Sequence, residues 1–307
     1  MKVLQSLSEL IKQSLNSEVM PESQIKLVEC PRDAMQGIKG FIPTELKIAY
    51  INRLLKCGFD TLDVGSFVSP KAIPQLIDTT EVLRGIEHNS DTKLLTIVAN
   101  RKGAEAAINF QSISYLGYPF SISETFQKRN INKGIEDSMW QLEDIYELAK
   151  SHGKEVVLYL SMGFGNPYGD SWSESLVEDW IGKLDAKFSP SVIAISDTIG
   201  CAKPEQVKNL FSNLNASFPH IELGAHLHLK PHAVDQLAAA AFDGGCRRFD
   251  SVIRGYGGCP MAKDDLTGNM PTELLLNWFN TQSVAHGVDR VAFNEALDFS
   301  ESVFSKL

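Results

Sequence analysis

The chain has 307 residues, 43% hydrophobic and 22% charged, so it can bury a large core and fits either one α/β barrel or two small domains. Its formal charge of −9 excludes the basic face that a nucleic-acid surface needs, and an anionic substrate would have to be met by local lysines and arginines working against the global field. Five cysteines, Cys30, Cys57, Cys201, Cys246 and Cys259, with no Cys-x-x-Cys spacing, argue against a disulfide framework and for a reducing, cytoplasmic setting.

Residues 1–24 read as a polar, amphipathic lead-in without the apolar core of a signal peptide. Ile25-Lys-Leu-Val-Glu29 predicts a first strand, and the apolar spacing over residues 43–57, with Pro43 near its start, predicts a helix. Phe59-Asp-Thr-Leu-Asp-Val64 is a second strand, followed by a helix over 71–86, a strand over 94–99, a helix over 102–109 and a strand over 112–116. The second half keeps the rhythm, with helices over 135–152, 172–187, 204–215 and 231–242 and strands over 155–160, 192–196, 221–227 and, shorter, 247–250. Eight strands alternating with helices, with no linker-like stretch between them, predict a single (β/α)8 TIM barrel over residues 1–307 with additional C-terminal helices. No G-x-G-x-x-G follows the first strand and no G-x-x-x-x-G-K-[ST] occurs, which removes motif support for a doubly wound nucleotide-binding fold. No apolar run approaches the ~18 residues of a membrane span. Ser305-Lys306-Leu307 spells a peroxisomal address that only a eukaryotic import receptor would read.

Chemistry concentrates at the carboxyl ends of the predicted strands, where a parallel barrel builds its active site. His226 and His228 stand two apart on a strand end, so both imidazoles leave one face and can share a metal ion. The same rim collects Arg32, Asp33 and Gln36 after strand one and Asp63 on strand two. It also takes Ser161 to Asn166 after strand five and Ser196-Asp197-Thr198 after strand six. Any one of these is explained as a cap or turn residue; their convergence with a histidine pair points instead to a metal-centred site.

Several of these stretches resemble one family. Pro31-Arg32-Asp33, the blocks Asp63 to Gln75 and Ser123 to Asn132, and Asp197-Thr-Ile-Gly200 carry the likeness, together with His226-Leu-His228 and Gly257-Gly-Cys259-Pro-Met-Ala-Lys263 before Gly268-Asn269. Over residues 25–290 they are similar to 3-hydroxy-3-methylglutaryl-CoA lyases, metal-dependent barrel lyases related to Claisen-condensing synthases. The Gly-Gly-Cys-Pro loop with its downstream Gly-Asn is the most specific part. The resemblance implies that Asp33, His226, His228 and Asn269 hold a divalent cation. Two imidazoles, a carboxylate and an amide oxygen without thiolate suit Mg²⁺ or Mn²⁺ better than structural zinc. It further implies that Arg32 stabilises charge at a thioester oxygen and that Cys259, on a mobile loop, is a proton donor or relay. Asp33 or His226 would be the base, with Asp63 and Asp197 as orienting groups.

The activity so implied is cleavage of 3-hydroxy-3-methylglutaryl-CoA, or a close 3-hydroxy-3-substituted glutaryl-CoA, to acetyl-CoA and acetoacetate or the matching 3-oxo acid. The expected partner is an acyl-CoA, with no nucleic acid or membrane, in a homodimer. The competing readings are a synthase joining acetyl-CoA to a 2-oxo acid and a non-catalytic acyl-CoA-binding barrel. Lys39, Lys71, Lys128 and Arg129 are candidates for the CoA phosphates, each equally readable as ordinary surface charge. Three departures from the family pattern stand out. Leu229 replaces an aspartate, with Asp264 or Asp265 as possible substitutes; Ala34 replaces a glycine and is expected to restrict a turn; and the loop from Cys259 to Asn269 is one residue longer and acidic.

Overall fold

In the computed structural model, strands β1 (Lys26–Glu29), β2 (Thr61–Ser66), β3 (Lys93–Ile97) and β4 (Ile113–Ser121) are followed by β5 (Glu155–Ser161), β6 (Val192–Asp197), β7 (Glu222–Leu229) and β8 (Arg248–Ser251). Each pairs in parallel with its neighbour in sequence, and β8 pairs back onto β1, so among the described residues eight strands close into the expected barrel. The described residues are 25–88, 91–258 and 267–304. The lead-in over 1–24, Cys259, Asp264, Asp265 and the terminal Ser305-Lys306-Leu307 lie outside them. Cys30, Cys57, Cys201 and Cys246 are free thiols, and no described helix is long and apolar enough to cross a membrane.

Strand parity divides the core. Leu27, Leu62, Val64, Leu94 and Leu116 pack outward under the helices, whereas Leu95, Ile97, Val157, Tyr159, Val192 and Ala194 form a second cluster inside the barrel. The interior also carries charge that such barrels usually lack: Asp63 and Arg248 are 0% exposed and Asp250 3%. At the amino-terminal end Arg248 meets Asp60 at 3.4 Å and Glu222 at 3.6 Å, and Lys26 pairs with the same Glu222.

Local chemistry sets the helices. Asn100, Ser123 and Ser173 cap Arg101–Ala107, Glu124–Ile131 and Glu174–Phe188 by accepting from the amides of Gly103, Phe126 and Leu176. The expected C-terminal helices are Thr272–Thr281 and Arg290–Phe304, the latter packing Phe299 and Phe304 against Tyr50. Among the boundaries that differ from expectation, two have a clear physical reason. The helix expected over 71–86 is a 3₁₀ turn, Pro74–Leu76, and a helix, Thr79–Gly85, because Pro74 has no amide to donate and the turn is tied by buried Lys47 to Asp78 (2.7 Å) and the Gln75 carbonyl. Strand β4 continues to Ser121 through Pro119, a residue that reads as a break. A short ninth strand, β9 (Gly268–Asn269), runs antiparallel to β7 and sets Asn269 opposite His228.

Candidate active site

His226 and His228 lie on the inward face of β7, and Asp33 sits in the short helix Pro31–Gln36 that follows β1. One ligand atom from each falls within 4.8 Å of the others. The rings are anchored differently. His226 Nδ1 is 3.1 Å from Asp250 Oδ2, and His228 Nδ1 donates to the Thr198 carbonyl at 3.1 Å. His228 Nε2 and Asp33 Oδ2 are buried with no partner in the protein. A buried acceptor left unpaired costs ~1–3 kcal/mol, and a divalent cation among two imidazole nitrogens and a carboxylate would satisfy both. On these donors the residues fit the metal that the resemblance implies.

The electrostatics favour the same occupant. Burial alone would raise the Asp33 carboxyl, but Arg32 and both histidines outweigh it and hold it below its usual range. Burial, reinforced by the neighbouring His226, pushes His228 down to about 4, so its ring is neutral and available as a ligand. For His226 burial also acts downward, yet the hydrogen bond and charge of Asp250 outweigh it and raise the imidazole.

Arg32 is pinned beside this cluster. Its Nε donates to Asp63 Oδ2 at 2.9 Å, and its Nη1 donates to Asp33 Oδ1 at 3.1 Å and Gln36 Oε1 at 2.9 Å. Asp63 lies wholly buried behind the guanidinium; burial lifts its carboxyl to about 6 against the pull of Arg32. Arg32, Asp33 and both histidines line a cavity of about 670 Å³. Its walls are apolar at Val68, Ala72, Ile73, Ile97 and Pro119 and basic at Arg129 and Lys133.

Asn269 is 4% exposed, helps hold the Asp33 carboxyl down and donates its Nδ2 to the Tyr256 carbonyl at 2.9 Å. Asp197 stands behind the histidine pair. Its oxygens accept the amides of Cys201 (3.0 Å) and Ala202 (2.8 Å), closing the turn whose Thr198 carbonyl anchors His228. Cys259 falls outside the described residues, but the chain leading to it passes Asp33 closely: a Cβ on Gly257 would lie 2.6 Å from the Asp33 carbonyl oxygen, and its φ is +89°.

Two departures have plain structural readings. Ala34 is helical and buried, where alanine is favoured, so the expected restriction of a turn does not arise. Leu229 has the opposite parity to His228 and packs into the outer core, so a carboxylate there would face the helices, not the cavity. Of the four suggested cations only Arg129 lines the cavity, joined by Lys133; Lys39 and Lys71 are exposed, and Lys128 pairs with Glu124 at 2.9 Å. Three contributors were not singled out from the sequence. Asp250 could have been found from the parity of strand eight. Tyr159, edge-on to His226 with centroids 5.4 Å apart, and the Thr198 carbonyl need the fold.

Comparison with known proteins points to a family. The HMGL-like family matches residues 24–299. The human cytoplasmic 3-hydroxy-3-methylglutaryl-CoA lyase is 33% identical over 278 residues, 90% of this chain and 74% of the relative. A Pseudomonas aeruginosa 3-hydroxy-3-isohexenylglutaryl-CoA/hydroxy-methylglutaryl-CoA lyase is 32% identical over 275 residues, 89% of this chain and 90% of the relative. Among solved structures, an HMG-CoA lyase from Acenitobacter baumannii in complex with coenzyme A and 3-methylmalate superposes with a TM-score of 0.86 at 30% identity, covering 94% of this chain and 93% of its own.

Proposed function

The chain belongs to the HMGL-like family, and from that membership we propose that it is a divalent-metal-dependent carbon–carbon lyase acting on 3-hydroxy-3-methylglutaryl-CoA or a close 3-hydroxy-3-substituted glutaryl-CoA. The products are acetyl-CoA and acetoacetate, or the corresponding 3-oxo acid. The observation that carries this reading is the cluster of Asp33, His226 and His228 beside Arg32 at the head of the cavity.

The reaction takes the proton from the tertiary hydroxyl, breaks the bond between C2 and C3, and leaves a ketone and a thioester enolate. Protonation at the enolate carbon then gives the acetyl group. When bound, a divalent ion supplies Lewis acidity that lowers the pKa of an alcohol oxygen beside it; Mg²⁺ or Mn²⁺ suits Asp33, His226, His228 and the Asn269 oxygen. Asp33 and His226, both in the cavity wall, are the alternative bases for the hydroxyl proton, His226 only where its Nε2 is not bound to the ion. Arg32 presents permanently protonated donors to the charge that grows on the thioester oxygen, and Asp63 holds the guanidinium in place from behind. Cys259 returns a proton to the enolate carbon. The apolar wall of Val68, Ala72, Ile73 and Ile97 suits an alkyl group at C3, which favours a second substrate with a 3-substituent larger than methyl.

Purified protein with Mn²⁺ is to be given 3-hydroxy-3-methylglutaryl-CoA, its 3-isohexenyl homologue, and acetyl-CoA with a panel of 2-oxo acids. Release of a 3-oxo acid and acetyl-CoA from either of the first two is expected. Free thiol appearing only from the third mixture would make the chain a condensing synthase, and binding without turnover would make it a silent acyl-CoA binder. The homodimer is part of the same reading; sedimentation equilibrium should give twice the monomer mass, and a monomer would remove it.

A further inference from the structure

We infer that Asp250 is a positioning residue for the metal cluster, fixing the tautomer and ring plane of His226 so that its Nε2 is presented beside Asp33 and His228. The inference rests on the metal-dependent reading above. Asp250 on β8 and His226 on β7 are direct partners in the parallel register, and both point into the barrel. The 3.1 Å contact to Nδ1 joins a carboxylate that is 3% exposed to a ring that is itself mostly buried. The other carboxylate oxygen has no protein partner.

A buried cation lies on the same strand as Asp250. Arg248 is two residues earlier, hence on the same inward face, and is 0% exposed, with its Nε unpartnered. The column Arg248, Asp250, His226 therefore runs from the closed end of the barrel up to the rim. With the carboxylate accepting from Nδ1–H across this contact, Nε2 is the ring nitrogen left bare for a cation. The two histidines differ here in a way that makes the idea testable. His228 is held by the backbone carbonyl of Thr198, which no side-chain substitution removes, whereas the anchor of His226 is a side chain.

Metal-stripped wild type, Asp250→Asn and Asp250→Ala are to be titrated with Mn²⁺, and side-chain ¹⁵N spectra of the metal-free, histidine-labelled proteins recorded near pH 8. Both variants should bind Mn²⁺ roughly 10–100-fold more weakly, the usual cost of losing a carboxylate behind a ligating histidine. The His226 signals should change from the Nδ1–H tautomer in wild type to a mixture in the variants, with the His228 tautomer unmoved. Should Asp250→Ala fail to fold, the isosteric Asp250→Asn still decides, its metal-free melting temperature being the check on fold. Wild-type Mn²⁺ affinity in Asp250→Asn, or an unaltered His226 tautomer, would overturn the inference. A wild-type protein that binds no Mn²⁺ would instead bring down the metal-dependent reading, and the inference with it.

Discussion

Arg32 spends its donors on three partners, Asp63, Asp33 and Gln36, and that fork is what a lysine cannot reproduce. Arg32→Lys should lower kcat by roughly 10²–10³ while Mn²⁺ binding persists, since one oxyanion donor is lost and the cluster is not. Unchanged turnover would take the guanidinium out of the chemistry. Cys259→Ser should lower kcat by roughly 10²–10⁴ with little change in KM if that thiol is the proton donor; wild-type turnover would return it to a packing role. Glu29, at the end of β1, gives a test that does not touch the metal. It is fully buried, accepting the Ile253 amide at 2.8 Å and the Thr272 hydroxyl at 2.6 Å. Burial, against those two hydrogen bonds, pushes its carboxyl from 4.5 up to about 8. The folded state then holds a proton that the unfolded chain releases, so the contribution is full below about 4.5 and lost as pH rises through about 8. In melts between pH 5 and 9, Glu29→Gln should lose less stability than wild type as pH rises. Parallel pH curves would show that Glu29 is already ionised in the fold.

Beside the site runs the segment over residues 252–258 that leaves β8. Arg254, Gly255, Gly257 and Gly258 all have positive φ there, and Gly257 packs against both Asp33 and Asn269. Gly257→Ala would place a methyl 2.6 Å from the Asp33 carbonyl oxygen and 3.0 Å from Asn269 Nδ2 in a left-handed backbone. A destabilisation of roughly 1–3 kcal/mol is expected, together with weaker Mn²⁺ binding, because the turn and Asn269 must move together. A variant that melts and binds metal like wild type would mean the turn is slack. At this scale the sequence was most legible where a period repeats: alternating apolar runs announced the eight strands, and the two-residue spacing announced His226 and His228 on one face. Arg32 and Asp33 were placed on the rim by following strand one, but their roles, and Asn269 altogether, were reached through family likeness, since a carboxylate or amide in a loop has no period of its own. The helix Glu124–Ile131 was missed because its residues are mostly polar and its strongest local signal is the single cap Ser123. Asp250 was missed because its partner is 24 residues away, on the neighbouring strand, and the two meet only through the parallel register of β7 and β8.

For the molecule as a whole, a chain of formal charge −9 must receive a polyanionic acyl-CoA. Arg129 and Lys133 are the cations in the cavity wall away from the metal cluster, so the attraction is local and screened by salt. KM for the acyl-CoA should rise with ionic strength, and Arg129→Gln should raise it at low salt with kcat nearly unchanged; a KM indifferent to both would place the phosphates elsewhere. The central claim is that Asp33, His226 and His228 hold the ion on which carbon–carbon cleavage depends. Its most direct test is the rate of acetoacetate formation from 3-hydroxy-3-methylglutaryl-CoA as stripped enzyme is titrated with free Mn²⁺, for wild type and His226→Ala. The account predicts no turnover in excess EDTA, a saturating recovery in wild type at the concentration where Mn²⁺ binds, and no recovery in His226→Ala over that range. Full wild-type turnover in excess EDTA would contradict it.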